Sequence, residues 1–160
     1  CDNAVLYDAN KFMSLVNDVN NDIIVWSYRN NYTTYYDPEK YSWLELDGDK
    51  VTKVNVKEFK GGNPLDQHAI VGTMFFRNKR VYLKSLAGLY ERNSTTNGEF
   101  YIDNLLNDAI DLGYNVKNFE VEHYICWGTP DDLETYKYWQ RFFDQVDWHP
   151  YDYKTDYFTN

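Results

Sequence analysis

The chain of 160 residues predicts an α/β sandwich around a mixed sheet. Compact, β-branched apolar runs recur at Asp22 to Tyr28 (DIIVWSY), His68 to Phe76 (HAIVGTMFF) and Val116 to Ile125. Segments of helical apolar spacing fall between them. The composition, 43% hydrophobic and 19% aromatic, supplies a core that a disordered chain lacks, although the mean hydropathy is −0.70.

The elements follow in order. Asn3 to Tyr7 reads as a short strand, and Asp8 to Val19 as a helix, with Asp8 as cap and Phe12, Leu15, Val16 and Val19 on one face. Asp22 to Tyr28 is a strand of the kind covered on both faces. Residues 29–41 form a polar, tyrosine-rich loop with Pro38. Ser42 to Leu46 and Lys50 to Lys57 make a hairpin about Asp47-Gly48-Asp49, because an Asp-Gly pair between apolar runs favours a tight turn. Gly61-Gly62-Asn63-Pro64 breaks the chain before the strand at His68 to Phe76. Gly72 lies inside that strand, where a glycine marks a bulge or the close approach of a ligand or backbone. Helices are expected over Lys79 to Glu91, Ile102 to Leu112 and Asp131 to Phe143, the last begun by Thr129-Pro130-Asp131-Asp132. Val116 to Ile125 reads as one continuous strand, and residues 144–160 as an aromatic surface tail of a single domain.

The charge excludes some partners. With 16 basic and 25 acidic residues the net charge is −9, a field that repels nucleic acid and anionic lipid. Phosphorylated substrates need a divalent cation or local Lys and Arg to offset it. The only cysteines, Cys1 and Cys126, form no disulfide framework, and the chain shows no signal peptide or membrane span, so the cytoplasm is the expected compartment. The oligomeric state is left open.

Asp2 follows a strand end, where open α/β sheets bind ligands, and a carboxylate there is suited either to a turn or to a Mg2+ ion. Glu99 precedes a helix, where a carboxylate is favoured by the helix macrodipole. Residues 97–139 resemble the later part of the sugar-1-phosphate nucleotidyltransferases, the nucleotide-sugar pyrophosphorylases. The matching features are the glycine strand around Gly72, the Asn97-Gly98-Glu99 motif before a helix, and Trp127-Gly128-Thr129-Pro130-Asp131-Asp132. Cys1-Asp2-Asn3 is similar to the family's small-residue-Asp element, which extends the resemblance to residues 1–139.

The resemblance implies a three-layer sandwich with a mixed, mostly parallel sheet, of which this chain is the C-terminal, sugar-phosphate-binding part. It implies an enzyme of nucleotide-sugar and polysaccharide biosynthesis that joins a nucleoside triphosphate and a sugar 1-phosphate, releasing pyrophosphate. Asp2 would ligate Mg2+, Gly72 and Glu99 would seat the sugar, and Lys57, with Lys60 as fallback, would neutralise its phosphate. Cys126 stands where many of these enzymes have a second metal-binding Asp, with Glu122 as a neighbouring carboxylate. No Gly-rich, nucleotide-cradling loop occurs in the chain, so the nucleotide-binding half is expected to be absent and the isolated chain inactive. Alternative readings are a non-catalytic sugar- or nucleotide-binding relative and a metal-dependent glycosyltransferase of similar fold.

Overall fold

The computed structural model describes residues 2–156. Cys1 and residues 157–160, the end of the expected surface tail, lie outside the described residues. In chain order the elements are β1 (Asn3–Leu6), α1 (Ala9–Asn17), β2 (Ile23–Tyr28), α2 (Thr33–Tyr36), β3 (Trp43–Asp47), β4 (Lys50–Asn55), β5 (His68–Phe76), α3 (Lys79–Glu91), α4 (Ile102–Asp111), β6 (Val116–Glu120), β7 (His123–Cys126) and α5 (Pro130–Asp144). The chain divides into two compact units, Val5–Tyr124 and the pair of segments Cys1–Ala4 and Ile125–Asn160. Among the described residues no helix is long and apolar enough to cross a membrane.

The larger unit is a mixed α/β structure. Its strands pair in the order β2-β5-β3-β4-β6, and the ring closes through one residue pair, Lys50 with Lys117. Closure is reinforced where the Lys117 ammonium pairs with the Asp49 carboxylate and the Asn118 amide donates to the Asp49 carbonyl at 2.8 Å. All six residues of β2 are buried because both faces are covered. On one face Ile23, Val25, Leu44, Val54, Ile70 and Val116 pack with Val81 of α3 and Leu106 and Ala109 of α4. On the other, Ile24, Trp26, Tyr28, Val71 and Phe119 meet Phe12, Leu15 and Val16 of α1. Helices therefore flank the sheet on both sides, the layering expected from the sequence.

Two expectations are corrected. The ring is not mostly parallel: only β2 and β6 run in the same direction, and the other four ring pairings are antiparallel. The reason is connection length, since β3 and β4 are joined by the two residues Gly48 and Asp49 and must run antiparallel, whereas a crossover through α3 and α4 carries the chain back to lie parallel to β2. Nor is Val116 to Ile125 continuous. It divides at Val121 and Glu122 into β6, which pairs with β2, and β7, which pairs with β1.

Local chemistry fixes the helices. The Asp8 carboxylate accepts from the amides of Asn10 and Lys11 at 2.8 and 3.2 Å, and so caps α1 as its sequence position suggests. Asn107 of α4 acts as a substitute strand for β4: its side chain accepts from the Val54 amide at 2.8 Å and donates to the Val54 carbonyl at 2.9 Å. Backbone groups of β4 that would otherwise lack a ladder partner are thereby satisfied, and α4 is tied to the sheet. The polar loop of residues 29–41 is partly ordered, holding α2 and a single 3-10 turn at Pro38–Lys40.

Candidate functional site

The smaller unit holds Asp2, Cys126 and Gly128. A methyl group added to Gly128 would lie 3.5 Å from the Cys126 sulfur and 3.6 Å from Asp2 Oδ2, so thiol and carboxylate flank the same glycine. The backbone fixes this arrangement, with the Trp127 amide donating to the Asp2 carbonyl at 2.7 Å. The carboxylate that meets the thiol is Asp132: Cys126 Sγ donates to Asp132 Oδ2 at 3.4 Å, and the same oxygen accepts from the Thr129 amide and hydroxyl at 3.1 and 2.8 Å. Glu122, the carboxylate suggested by the sequence, instead donates its backbone amide to the Leu6 carbonyl within the larger unit. Thr129 and Asp132 form a complete capping box at the start of α5, as Thr129-Pro130-Asp131-Asp132 predicts.

Lys57 and Glu99 belong to one cluster in the larger unit. The Lys57 ammonium lies 5.6 Å from the centre of the Tyr101 ring, and the Tyr101 hydroxyl donates to Glu99 Oε2 at 3.0 Å. That bond, first among the causes, raises the Tyr101 pKa. Lys57 also donates to the Lys40 carbonyl and adopts a left-handed backbone, φ 53°. Burial pushes the Asp103 carboxyl upward, while the Ser42 hydroxyl and the Lys57 charge pull it back. Glu99 stands just ahead of α4, where the sequence places it, but in a turn and not in the first turn of the helix. Asn97 and Gly98, at φ 52° and 80°, turn the chain so that Thr96 and Glu99 exchange backbone hydrogen bonds of 2.9 and 3.0 Å, and α4 begins three residues later at Ile102. This is the Asn-Gly tight turn, and it exposes the Glu99 side chain.

Gly72 is the extra-residue position of a bulge. Val25 and Ser27 of β2 face Met74 and Ile70 of β5, so four residue steps of β5 span two of β2. Gly72 has φ 97°, a conformation most residues resist, and nothing lies within 4 Å of the space its side chain would take. Lys60 pairs with Glu58 and takes no part in the Lys57 cluster.

The sequence reading missed a third polar group. Ser27, fully buried at 0% exposure, donates to Asn118 Oδ1 at 2.6 Å and contacts His68 Nδ1 at 2.9 Å. Burial lowers the His68 pKa, against the pull of the Glu120 charge and with a further push from Arg29. Glu120 is itself held by Arg29 through paired contacts of 2.8 and 3.0 Å. Burial disfavours its charge, but Arg29, His68 and Lys11 outweigh that, and the Glu120 pKa is lowered. His68 and Glu120 line a cavity of about 390 Å³ between α1, the β3–β4 turn, β5 and β6. The available signal was a polar residue within each strand, Ser27 near the end of the apolar β2 and Asn118 at the centre of β6.

The fold has solved counterparts. A nucleoside-diphosphate-sugar pyrophosphorylase from Vibrio cholerae RC9 superposes with a TM-score of 0.54 at 19% identity, over 74% of this chain and 48% of its own. A Bacillus anthracis structure assigned as a glucose-1-phosphate thymidylyltransferase gives 0.62 at 16% identity, over 91% and 53%. The inositol-1-phosphate CTP transferase of T. maritima gives 0.57 at 20% identity, over 91% and 54%. The chain thus spans about half the length of these structures and shares their mixed α/β fold. No protein-family model and no curated protein matches the sequence.

Proposed function

We propose that the chain is the sugar-phosphate-binding part of a nucleotidyltransferase, one that joins a nucleoside triphosphate and a sugar 1-phosphate. The observation that carries this reading is the Lys57–Tyr101–Glu99 cluster: a cation, an aromatic ring and an exposed carboxylate lie side by side on a fold shared with such enzymes. A sugar phosphate asks for that combination, since Lys57 would neutralise the phosphate and Glu99 would accept from neighbouring hydroxyls. Gly72, with open space beside a bulged strand, would let the ring approach the backbone.

In the complete protein, an oxygen of the sugar phosphate would attack the α-phosphorus of the triphosphate. The new P–O bond forms as the bond to the β-phosphate breaks, and pyrophosphate leaves. The phosphate is already a nucleophile, so the protein's task is orientation and charge neutralisation. Mg2+ suits this chemistry, and Asp2 is the residue that would hold it, because magnesium needs only one or two carboxylates besides phosphates and water. When bound, it would offset negative charge on the phosphates. Cys126, a soft donor engaged with Asp132, does not suit a hard ion. That substitution favours a second reading, a relative that binds the sugar phosphate but has lost turnover. Pyrophosphate release from a triphosphate and a sugar 1-phosphate by the complete protein separates the two.

Glu99→Gln tests the pocket itself. It keeps an acceptor for Tyr101 and removes the charge, and it should weaken binding of glucose 1-phosphate or another accepted sugar phosphate by about 1.5 to 3 kcal/mol. Calorimetric titration and the melting temperature of the same variant provide the check. Lost stability with unchanged affinity would remove Glu99 from the site.

A further inference from the structure

α3 turns one face inward and leaves the opposite face open. Val81, Ser85 and Leu89 are its buried residues, and Leu83, Ala87 and Tyr90, spaced i, i+4 and i+7, lie across the helix from them in solvent. Leu83 is 55% exposed and Tyr90 59%, and the stripe runs on to Phe100, whose ring centre is 4.9 Å from that of Tyr90. Single exposed apolar side chains are ordinary on a surface, whereas a continuous row marks a face made to be covered.

The charges of α3 stand the wrong way round for a solitary helix. Its first half carries Lys79, Arg80 and Lys84 with no acid, and its last residue is Glu91, whereas the helix macrodipole favours acid at the start and base at the end. Arg80 and Lys84, one turn apart, also repel each other. The Lys84 and Glu91 side chains are exposed, and among the described residues neither forms a hydrogen bond or an ion pair. Both lie along one edge of the apolar stripe, because seven residues make close to two turns. An antiparallel copy of the same helix supplies what each lacks. A two-fold axis between Ala87 and Gly88 brings Lys84 level with Glu91 of the other copy, and symmetry repeats the pair. Tyr90 of the other copy then falls between Leu83 and Ala87, and the small Ala87 at the crossing lets the two backbones approach.

We propose that the chain forms a symmetric dimer through α3, in which two antiparallel copies pack their Leu83, Ala87 and Tyr90 stripes together and Lys84 of each pairs with Glu91 of the other. The contact is a single helix pair, at the small end of specific interfaces, so the dimer is weak and reversible. No residue of the Lys57–Tyr101–Glu99 cluster takes part, and the proposal does not depend on the sugar-phosphate reading.

The test is sedimentation velocity of the 160-residue chain at low salt, over concentrations from about 5 to about 500 μM, where a monomer–dimer equilibrium with a Kd on the order of 10 to 100 μM should appear. Lys84→Glu sets like charges against each other at both ends of the contact and should weaken the dimer at least about tenfold, and Glu91→Lys should do the same. The double variant restores both pairs with their signs exchanged, and its Kd should return to within about threefold of the wild type. Both positions are exposed and neither change opposes the macrodipole, so the melting temperature of the monomer should not fall. Tyr90→Ser, which removes the seated ring, should weaken the dimer by about tenfold without reversing any charge. A monomer throughout the range would overturn the proposal. So would a double variant no better than the single ones, or a dimer indifferent to Lys84→Glu, which would put the contact elsewhere, for example on the exposed Trp139 and Phe142 of α5.

Discussion

β2 and α5 show two ways of holding an element in place. Each residue of β2 is buried, and its stability comes from apolar surface packed on both faces. α5 has fifteen residues and no buried one. It relies on its capping box, on the Lys137–Glu134 pair at 3.0 Å, and on aromatic contacts such as Phe143 with His149, whose ring centres are 4.3 Å apart. The contrast teaches where a substitution will be felt: changes behind the sheet act on the whole larger unit, whereas changes at α5 act on its own ends.

The strongest way to break that comparison is through Asp108. This carboxylate is buried at 1% exposure on α4 and is gripped by Arg92 from the end of α3, with Asp111 as a second partner for the guanidinium at 2.5 Å. Gly88 permits the approach, since a side-chain carbon there would sit only 3.0 Å from Asp108 Oδ1. Asp108→Ala leaves Arg92 without its inner partner and opens a gap between α3 and α4. It should cost about 3 kcal/mol, toward the low end of buried pairs because Arg92 is half exposed. Chemical denaturation measures this, and hydrogen exchange in α5 should be unchanged. A loss below about 1 kcal/mol would mean that the clasp contributes little and that the sheet core alone holds α3 and α4.

At α5 the corresponding change is Thr129→Ala, which removes the oxygen that accepts from the Asp132 amide at 3.2 Å. The expected loss is about 1 kcal/mol, confined to the helix start. Faster amide exchange over residues 131–133 with an unaltered main unfolding transition is the predicted pattern. A shift of that transition would show that α5 and the sheet unfold together, which the contrast in burial argues against.

The parts of the fold governed by near neighbours were legible. α3 lies at Lys79–Glu91 and β5 at His68–Phe76, as periodicity gave them, because the apolar spacing and the preceding Asn78 cap are local signals. Strand partners were not legible: whether β6 lies parallel to β2, and that the chain leaves that sheet at Val121, depends on contacts about ninety residues apart. Glu99 was legible as a residue just ahead of a helix, whereas the Asn97-Gly98 turn that holds it three residues before α4 was not read. The pairing of Asp132 with Cys126 was hidden inside a capping motif that has its own structural reason. His68 was passed over because one imidazole in an apolar strand carries no motif, and only the fold brings Ser27, Asn118 and Glu120 around it.

The smallest expected effect comes from that imidazole, and its sign separates burial from charge. Burial lowers the His68 pKa in the folded chain, with the Arg29 charge acting the same way and the Glu120 charge opposing. As the pH falls through about 6.5, the unfolded chain takes up a proton that the folded chain still refuses. More protons bound to the unfolded state mean that stability decreases as the pH drops in this window. The contribution is fully present above about pH 7.5 and is lost once the pH has fallen through the folded value. Asp49 faces the same cavity from the β3–β4 turn, and the hydrogen bond from Lys117 holds its carboxyl below the ordinary value, so it stays charged across this window. Glu120 is also held low, so its own titration begins further down and leaves the window to His68. Denaturation curves of the wild type and His68→Gln, taken in small steps between about pH 7.5 and 5.5, isolate the difference. The wild type should lose stability across this interval more steeply than the variant. A wild type that gains stability on acidification would mean that the Glu120 charge outweighs burial, and that the cavity holds an imidazolium where a neutral acceptor is expected.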